Sequence, residues 1–322
     1  VFVSVTIQTY NRSAVLAQTL DSLRSLRCPE KADYEILVVD NNSSDDTPNV
    51  IRRYMDLLSP RLRSVFEPRQ GLSHARNRAL AEARGEIVSF IDDDVAVDSD
   101  WLIAVCDAFA RHSASVVGGR SYLIYPTREG RPPWLAAHRE TMYSRLDHGP
   151  ETLVGTDKEL FGLNFSVLKR MAIEVGGFDS AYGRCGANLA CGEEGDLLDR
   201  VRRAGGVVVY EPRAVVGHRV PAERLAKKWV LTRAYYGGVS SERLSRVRGG
   251  RFERTGPLLV HALRCWGSVG RALLSRGMPP QEFFERQYHA YLSLGRFVGA
   301  ISSKPEGTDS VARTSPAQER RS

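Results

Sequence analysis

Three consecutive carboxylates, Asp92-Asp93-Asp94, follow directly on the apolar run Ile87-Val88-Ser89-Phe90-Ile91. Like charges at the tip of a buried strand repel one another and lose hydration, so the arrangement is costly unless a cation sits there. Hard carboxylate oxygens suit Mg²⁺ or Mn²⁺, held by one or two acids together with the phosphates of a substrate. The chemistry so implied is metal-assisted binding of a nucleoside diphosphate. Taken alone, the triplet is also compatible with an acidic turn in water. A second cluster, Glu193-Glu194 with Asp196, follows Gly192 and opens the helical run Leu197–Val201. Acids in a first helical turn complement the helix dipole whatever else they do. The two clusters nevertheless divide naturally into two jobs, one for a metal and one for a proton.

The elements that must position these residues alternate along the first third of the chain. Val1–Ile7 and Tyr34–Val39 are rich in β-branched residues and read as strands, ending in the polar turns Gln8–Arg12 and Asp40–Ser44. The apolar positions Val15, Leu16, Leu20, Leu23 and Leu26 mark a helix between them, and Thr47-Pro48 opens another. The pattern repeats through Arg63–Phe66, Leu72–Ala83 and Glu86–Ile91, which predicts a mostly parallel sheet with crossover helices. In such sheets ligands bind beyond the carboxyl ends of the strands, so the fold should bring the three polar strand tips together. Further strands are expected over Ser115–Tyr125, Phe161–Lys169 and Val207–Val216, a helix over Trp101–Arg111, and a long surface loop or short-helix insertion over Pro126–Pro150.

The 322 residues, 42% hydrophobic and 26% charged, suffice for one large α/β domain or two smaller ones. A net charge of +7 favours anionic partners. Nucleic acid is not expected among them, because no nucleic-acid-binding motif accompanies the charge. Neither GxGxxG nor GxxxxGK[ST] occurs, which removes the main support for a dinucleotide-binding dehydrogenase or a P-loop kinase. The five cysteines (Cys28, Cys106, Cys185, Cys191, Cys265) lack CxxC spacing and read as reduced thiols. With no signal peptide before the first strand and no apolar run of bilayer length, a cytoplasmic location is expected.

The ordered series of motifs resembles the family 2 glycosyltransferases, inverting enzymes of the GT-A fold. It comprises Thr9-Tyr10-Asn11-Arg12, Val38–Thr47, Gly71–Asn77, Phe90–Asp94 with Trp101-Leu102, Gly162-Leu163-Asn164, Gly176–Asp179, Gly192-Glu193-Glu194 and Gly217-His218. The resemblance spans Val1 to about Arg224 and implies a catalytic domain over 1–224, with a nucleotide-binding half (1–112) and an acceptor half (113–224). It implies that Asp40 accepts a hydrogen bond from the base and that Thr9, Tyr10, Asn11 and Arg12 line base and ribose. Arg76 and Asn77 would face the nucleotide, and Asp92 and Asp93 would lie near the ribose. Asp94 would ligate the Mn²⁺ or Mg²⁺ that bridges the diphosphate, with His218 a further ligand. Glu194 would be the general base. The commonest family pattern places Asp after the first Glu, so Glu193 stays open as the base. Trp134 and Asn164 are the expected acceptor contacts, whereas Phe161 and Tyr182 read more simply as core and loop aromatics.

The expected activity is inverting, metal-dependent transfer of a sugar from a nucleotide-diphosphate donor to a hydroxyl of a glycan or lipid-linked acceptor. Uridine diphosphate is the expected carrier by family habit, with thymidine and guanosine nucleotides left open, and polysaccharide biosynthesis is the expected setting. Two rivals are a sugar-nucleotide pyrophosphorylase, which would want a Gly-rich basic loop after the first strand, and a non-catalytic nucleotide-sugar-binding module. Residues 225–301 read as a helical basic extension and 302–322 as a disordered tail. The basic stretch Arg224–Arg254 and the amphipathic Pro257–Leu274 suit peripheral attachment to an anionic membrane surface, and equally a solvated face on packed helices.

Overall fold

The β-branched runs form strands and the periodic segments form helices in the expected order. A computed structural model describes residues 1–180, 182–183, 192–248, 256–273 and 277–301. Cys185, Cys191 and the expected tail over 302–322 lie outside the described residues. The first half runs β1 (Phe2–Thr9), α1 (Ser13–Leu23), β2 (Asp33–Asp40), α2 (Thr47–Leu57), β3 (Leu62–Phe66), α3 (Leu72–Glu82), β4 (Ile87–Asp92), β5 (Val95–Val97) and α4 (Trp101–His112). The second half runs β6 (Val116–Ile124), β7 (Leu153–Val154), β8 (Asn164–Leu168), α5 (Lys169–Glu174), α6 (Glu193–Arg203), β9 (Val208–Arg219), α7 (Lys227–Arg248), α8 (Gly256–Leu273) and α9 (Pro280–Ile301).

The strands form one sheet in the order β3-β2-β1-β4-β8-β6-β9-β5, with β7 also paired to β9. From β3 to β4 every pairing is parallel, as the alternation of strand and crossover helix requires. Beyond β4 the sheet is mixed. Strand β8 lies antiparallel to both β4 and β6, β5 and β7 lie antiparallel to β9, and β6 and β9 are parallel. The expectation of a mostly parallel sheet therefore describes the first half.

Side-chain alternation places a core on each face of the sheet. Ile36, Val38, Ile87 and Ile91 pack with Val3, Val5 and Ile7 beneath α1, α2 and α4. Leu37, Val39, Val88 and Phe90, their immediate neighbours in sequence, pack on the other face against α3, α5 and α6. A third cluster joins Leu135 and Tyr143 to Val230, Leu231 and Ala234 of α7 and to Phe284 and Tyr288 of α9. The 126–150 segment is thus more than a surface loop, because its 3₁₀ turn (Ala137–Tyr143) and the residues before it form the seat of the C-terminal helices. Helices α7 and α9 approach closely where Cβ atoms at Gly238 and Gly295 would run into the facing backbone.

Candidate active site

Strand register does the first work of assembly. Thr9 lies opposite Asp40, and Gln8 lies opposite Asp92, so the tips of β1, β2 and β4 converge at one edge. The antiparallel pairing of β5 with β9 sets Val95 opposite His218, which brings that histidine beside Asp94.

The loops between these tips are cross-tied. Asn11 takes a left-handed backbone (φ 52°), and its side-chain carbonyl accepts hydrogen bonds from the backbone N–H groups of Ser44 (2.7 Å) and Asp45 (3.2 Å). Asp40 accepts one from Ser43 N–H at 2.9 Å. Asn41, not singled out from sequence, donates to the carbonyls of Glu67 (3.1 Å) and Arg69 (2.7 Å) and accepts from Gly71 N–H (2.9 Å). These bonds hold the walls of a cavity of about 210 Å³ lined by Thr9, Tyr10, Arg12, Asn41, Gln70 and Gly71 among others.

At its floor the aspartates meet cations. Thr9 donates to Asp93 at 2.8 Å, and the Arg12 guanidinium reaches Asp93 Oδ1 at 3.0 Å and Asp94 Oδ2 at 2.9 Å. Arg12 thus stands as counter-ion to the acids while it also lines this cavity. Burial, opposed by Arg12 and reinforced by Asp94 and Asp92, raises the Asp93 carboxyl. Burial would raise Asp94 too, but His218, Arg12 and Arg224 outweigh it and hold that carboxyl well below the usual range.

Asp94 and His218 fit a divalent cation by the chemistry of their free atoms. His218 Nδ1 lies 2.6 Å from the Tyr143 carbonyl, which can only accept, so Nδ1 donates there and Nε2 is the nitrogen turned to Asp94 Oδ2 at 3.4 Å. Such a bond from the remote ring nitrogen is the usual way a metal-ligating imidazole is oriented. Asp94 Oδ1 is buried without a hydrogen-bond partner among the described residues. Two protein ligands with substrate oxygens completing the shell match the habit of Mg²⁺ and Mn²⁺, and among the described residues no cluster of three ligating side chains occurs.

A second, larger cavity of about 470 Å³ adjoins the first, sharing Leu72 and Asp92 with it. Phe161, Gly162, Glu193 and Glu194 line it, together with Arg233 from α7. Beneath it lies Arg76, 1% exposed, with Glu193 at 2.8 Å, Glu194 at 3.0 Å and Asp92 at 3.7 Å. Burial works against the guanidinium charge, and Glu194, Glu193 and Asp92 outweigh it. Reciprocally, burial would raise the Glu194 carboxyl, but the charge and hydrogen bond of Arg76 and a backbone N–H hold it below the ordinary value. Gly162 leaves room for this network, because a Cβ there would displace Glu194 Oε1 and the Arg76 guanidinium. The Glu194 side chain is 19% exposed and that of Glu193 only 3%.

Three expected contacts lie elsewhere. Asn77 spends its amide on the backbone of Phe178, donating at 2.7 Å and accepting at 2.8 Å. Asn164 is 3% exposed, accepts from Trp101 Nε1 and donates to the carbonyls of Arg120 and Ala214, so it ties β8 to its neighbours. Trp134 packs on Phe284 at 4.4 Å in the seam with α9. Tyr182 is buried, whereas Phe161 does line the larger cavity.

Residues 4–171 match the protein family described as Glycosyl transferase family 2. The succinoglycan biosynthesis protein ExoM of Rhizobium meliloti is 28% identical over 245 residues, covering 75% of this chain and 74% of its own. The glucosyl-dolichyl phosphate glucuronosyltransferase of Haloferax volcanii is 25% identical over 257 residues, 74% of this chain and 75% of its own. Among solved structures, a mannosyltransferase from Pyrobaculum calidifontis in complex with GDP-Man and Mn²⁺ superposes with a TM-score of 0.60 at 21% identity, over 94% of this chain and 88% of that one. GalNAc-T7 with UDP, GalNAc and Mn²⁺ superposes with a TM-score of 0.52 at 17% identity, over 77% of this chain and 52% of that one.

Proposed function

Because this chain belongs to glycosyl transferase family 2 and has the GT-A fold of a glycosyltransferase, we propose that it moves a sugar from a nucleoside-diphosphate carrier to a hydroxyl of a glycan or lipid-linked acceptor, with inversion at the anomeric carbon. The observation that carries this reading is the junction of the two cavities at Leu72 and Asp92, with Asp92 and Asp93 lining one and Glu194 the other. The proposal places the nucleotide at the tips of β1, β2 and β4, with Asp40 accepting from the base, uridine being the expected one. It places the acceptor in the larger cavity, where Arg233 adds an α7 contribution to the catalytic unit assigned to residues 1–224.

The acceptor oxygen bonds to the anomeric carbon as the bond from that carbon to the diphosphate oxygen breaks. The bonding pair leaves with the diphosphate, and the hydroxyl proton passes to a Glu194 carboxylate oxygen. The lowered carboxyl keeps Glu194 ionised and ready to accept, and Arg76 fixes its position. Its greater exposure to the cavity supports Glu194 over Glu193 as the base. Asp94 and His218 would hold the divalent cation. When bound, that cation supplies Lewis-acid stabilisation of the departing diphosphate. The Mn²⁺ bound in both solved structures, with GDP-Man in one and with UDP and GalNAc in the other, supports the donor and metal readings. The dolichyl-phosphate and succinoglycan relatives support a lipid-linked or glycan acceptor.

Glu194→Gln tests the assignment. It keeps shape and hydrogen bonding but takes no proton, so kcat should fall by about 10²–10⁴-fold while donor affinity stays near wild type. Near-normal turnover in Glu194→Gln beside a dead Glu193→Gln would move the role to Glu193.

A further inference from the structure

The C-terminal helices carry a surface that the transferase chemistry does not use. Trp266 (78% exposed) and Leu263 (64% exposed) are the two most exposed large hydrophobic residues among those described, and both lie on α8. At positions i, i+3, i+4 and i+7, Leu263, Trp266, Gly267 and Gly270 form one stripe along the helix. Among the described residues that stripe is uncovered: a Cβ at Gly270 would meet nothing within 4 Å, and one at Gly267 only the Arg271 side chain. The opposite face is occupied, with Ser268 buried and 3.3 Å from Ser293 of α9. Arg264 and Arg271, both exposed and two turns apart, lie along one flank of the stripe, Arg271 donating to Ser268 Oγ at 3.3 Å.

Charge identifies the occupant. Residues 222–301 hold fourteen Lys and Arg against five Asp and Glu, so the positive charge of the chain originates in this region. An apolar stripe with a tryptophan and flanking arginines matches the boundary of an anionic bilayer, where the rings and methyls enter and the cations meet headgroups. A second copy fits less well, since twofold pairing of α8 with itself would face arginine to arginine. The α7 side of the region offers less, because Val230, Leu231, Ala234 and Val239 are already buried.

We propose that the outer face of α8 docks the protein onto an anionic lipid surface, with Leu263 and Trp266 inserted and Arg264 and Arg271 on the headgroups. This goes beyond the transferase reading and does not depend on it, although it would deliver the active site to lipid-linked acceptors. In this proposal the contact centres on α8, within the amphipathic Pro257–Leu274 segment that lies behind the basic stretch from Arg224.

The test uses the full chain without donor or acceptor, so it fails or succeeds independently of the transferase assignment. Vesicles of phosphatidylcholine alone and of phosphatidylcholine with phosphatidylglycerol are sedimented with wild type and with Leu263→Ser/Trp266→Ala. Circular dichroism checks that the double variant is folded, as two exposed positions should allow. Wild type should partition onto the anionic vesicles, weaken at high salt, and show quenching of Trp266 emission by brominated lipid. The double variant should partition about tenfold less or weaker still, which corresponds to about 1.4 kcal/mol. Absent binding, equal binding by the double variant, or a dimer in solution that only the double variant abolishes would each overturn the proposal.

Discussion

A guanidinium at 1% exposure persists only if its charge is matched, and Arg76 has three acids around it. Removing one partner of a buried ion network leaves the others uncompensated, a loss of about 3–5 kcal/mol. Arg76→Met should therefore lower the unfolding free energy by roughly that amount in a urea titration. A loss under about 1 kcal/mol would show that Glu193 and Glu194 do not depend on it. The same pairing sets a pH dependence. Glu194 has a folded value below its unfolded one, so its stabilising contribution is complete above the ordinary glutamate range and is lost as pH falls through the lower folded value. The acid limb of kcat/KM should correspondingly lie below the ordinary glutamate value of about 4.3, and a limb at or above it would contradict the pairing. The acids themselves were legible from sequence, as three carboxylates after an apolar run and two after a glycine. Arg76 was legible as a site residue but not in its position. Its partner Glu193 lies 117 residues away, and spacing alone does not tell a guanidinium facing ligand from one beneath the acids.

At the scale of elements, the parallel half of the sheet follows from the alternation of β-branched runs and amphipathic helices, and so does the meeting of its strand tips. The mixed half was less legible. Strand β5 has three residues, too few for a period, and β6 shifts register against β9 between Gly119 and Arg120. That region decides where His218 and Asn164 point. Asn164 sits in a motif that reads as functional, yet its amide is consumed by Trp101 and two backbone carbonyls. Asn41 is the converse case, a loop residue whose three side-chain hydrogen bonds hold the 67–71 segment at the wall of the smaller cavity. Its only sequence signal is its place directly after Asp40. Asn41→Ala leaves buried backbone groups unmatched, so stability should fall by about 1–3 kcal/mol and donor affinity should fall with it. Unchanged donor affinity, measured by titration calorimetry, would free that loop of a positioning role.

For the molecule as a whole, the sheet gathers both acid clusters on one edge, and the 126–150 segment seats the C-terminal helices beside them. Arg224, just ahead of α7, comes within 4.0 Å of Asp94, so the helical region touches the same seat. Among the described residues no helix is long and apolar enough to cross a membrane. The central claim is that a nucleoside-diphosphate sugar binds at the strand tips through a cation held by Asp94. Thermal unfolding with a panel of nucleotide sugars, in Mn²⁺ and in EDTA, measures it on wild type and Asp94→Ala. Binding to the native state alone should add about 2.7 kcal/mol of stability at a hundredfold excess over Kd, in Mn²⁺ only and in wild type only. Equal stabilisation in EDTA, or by the Asp94→Ala protein, would contradict the account.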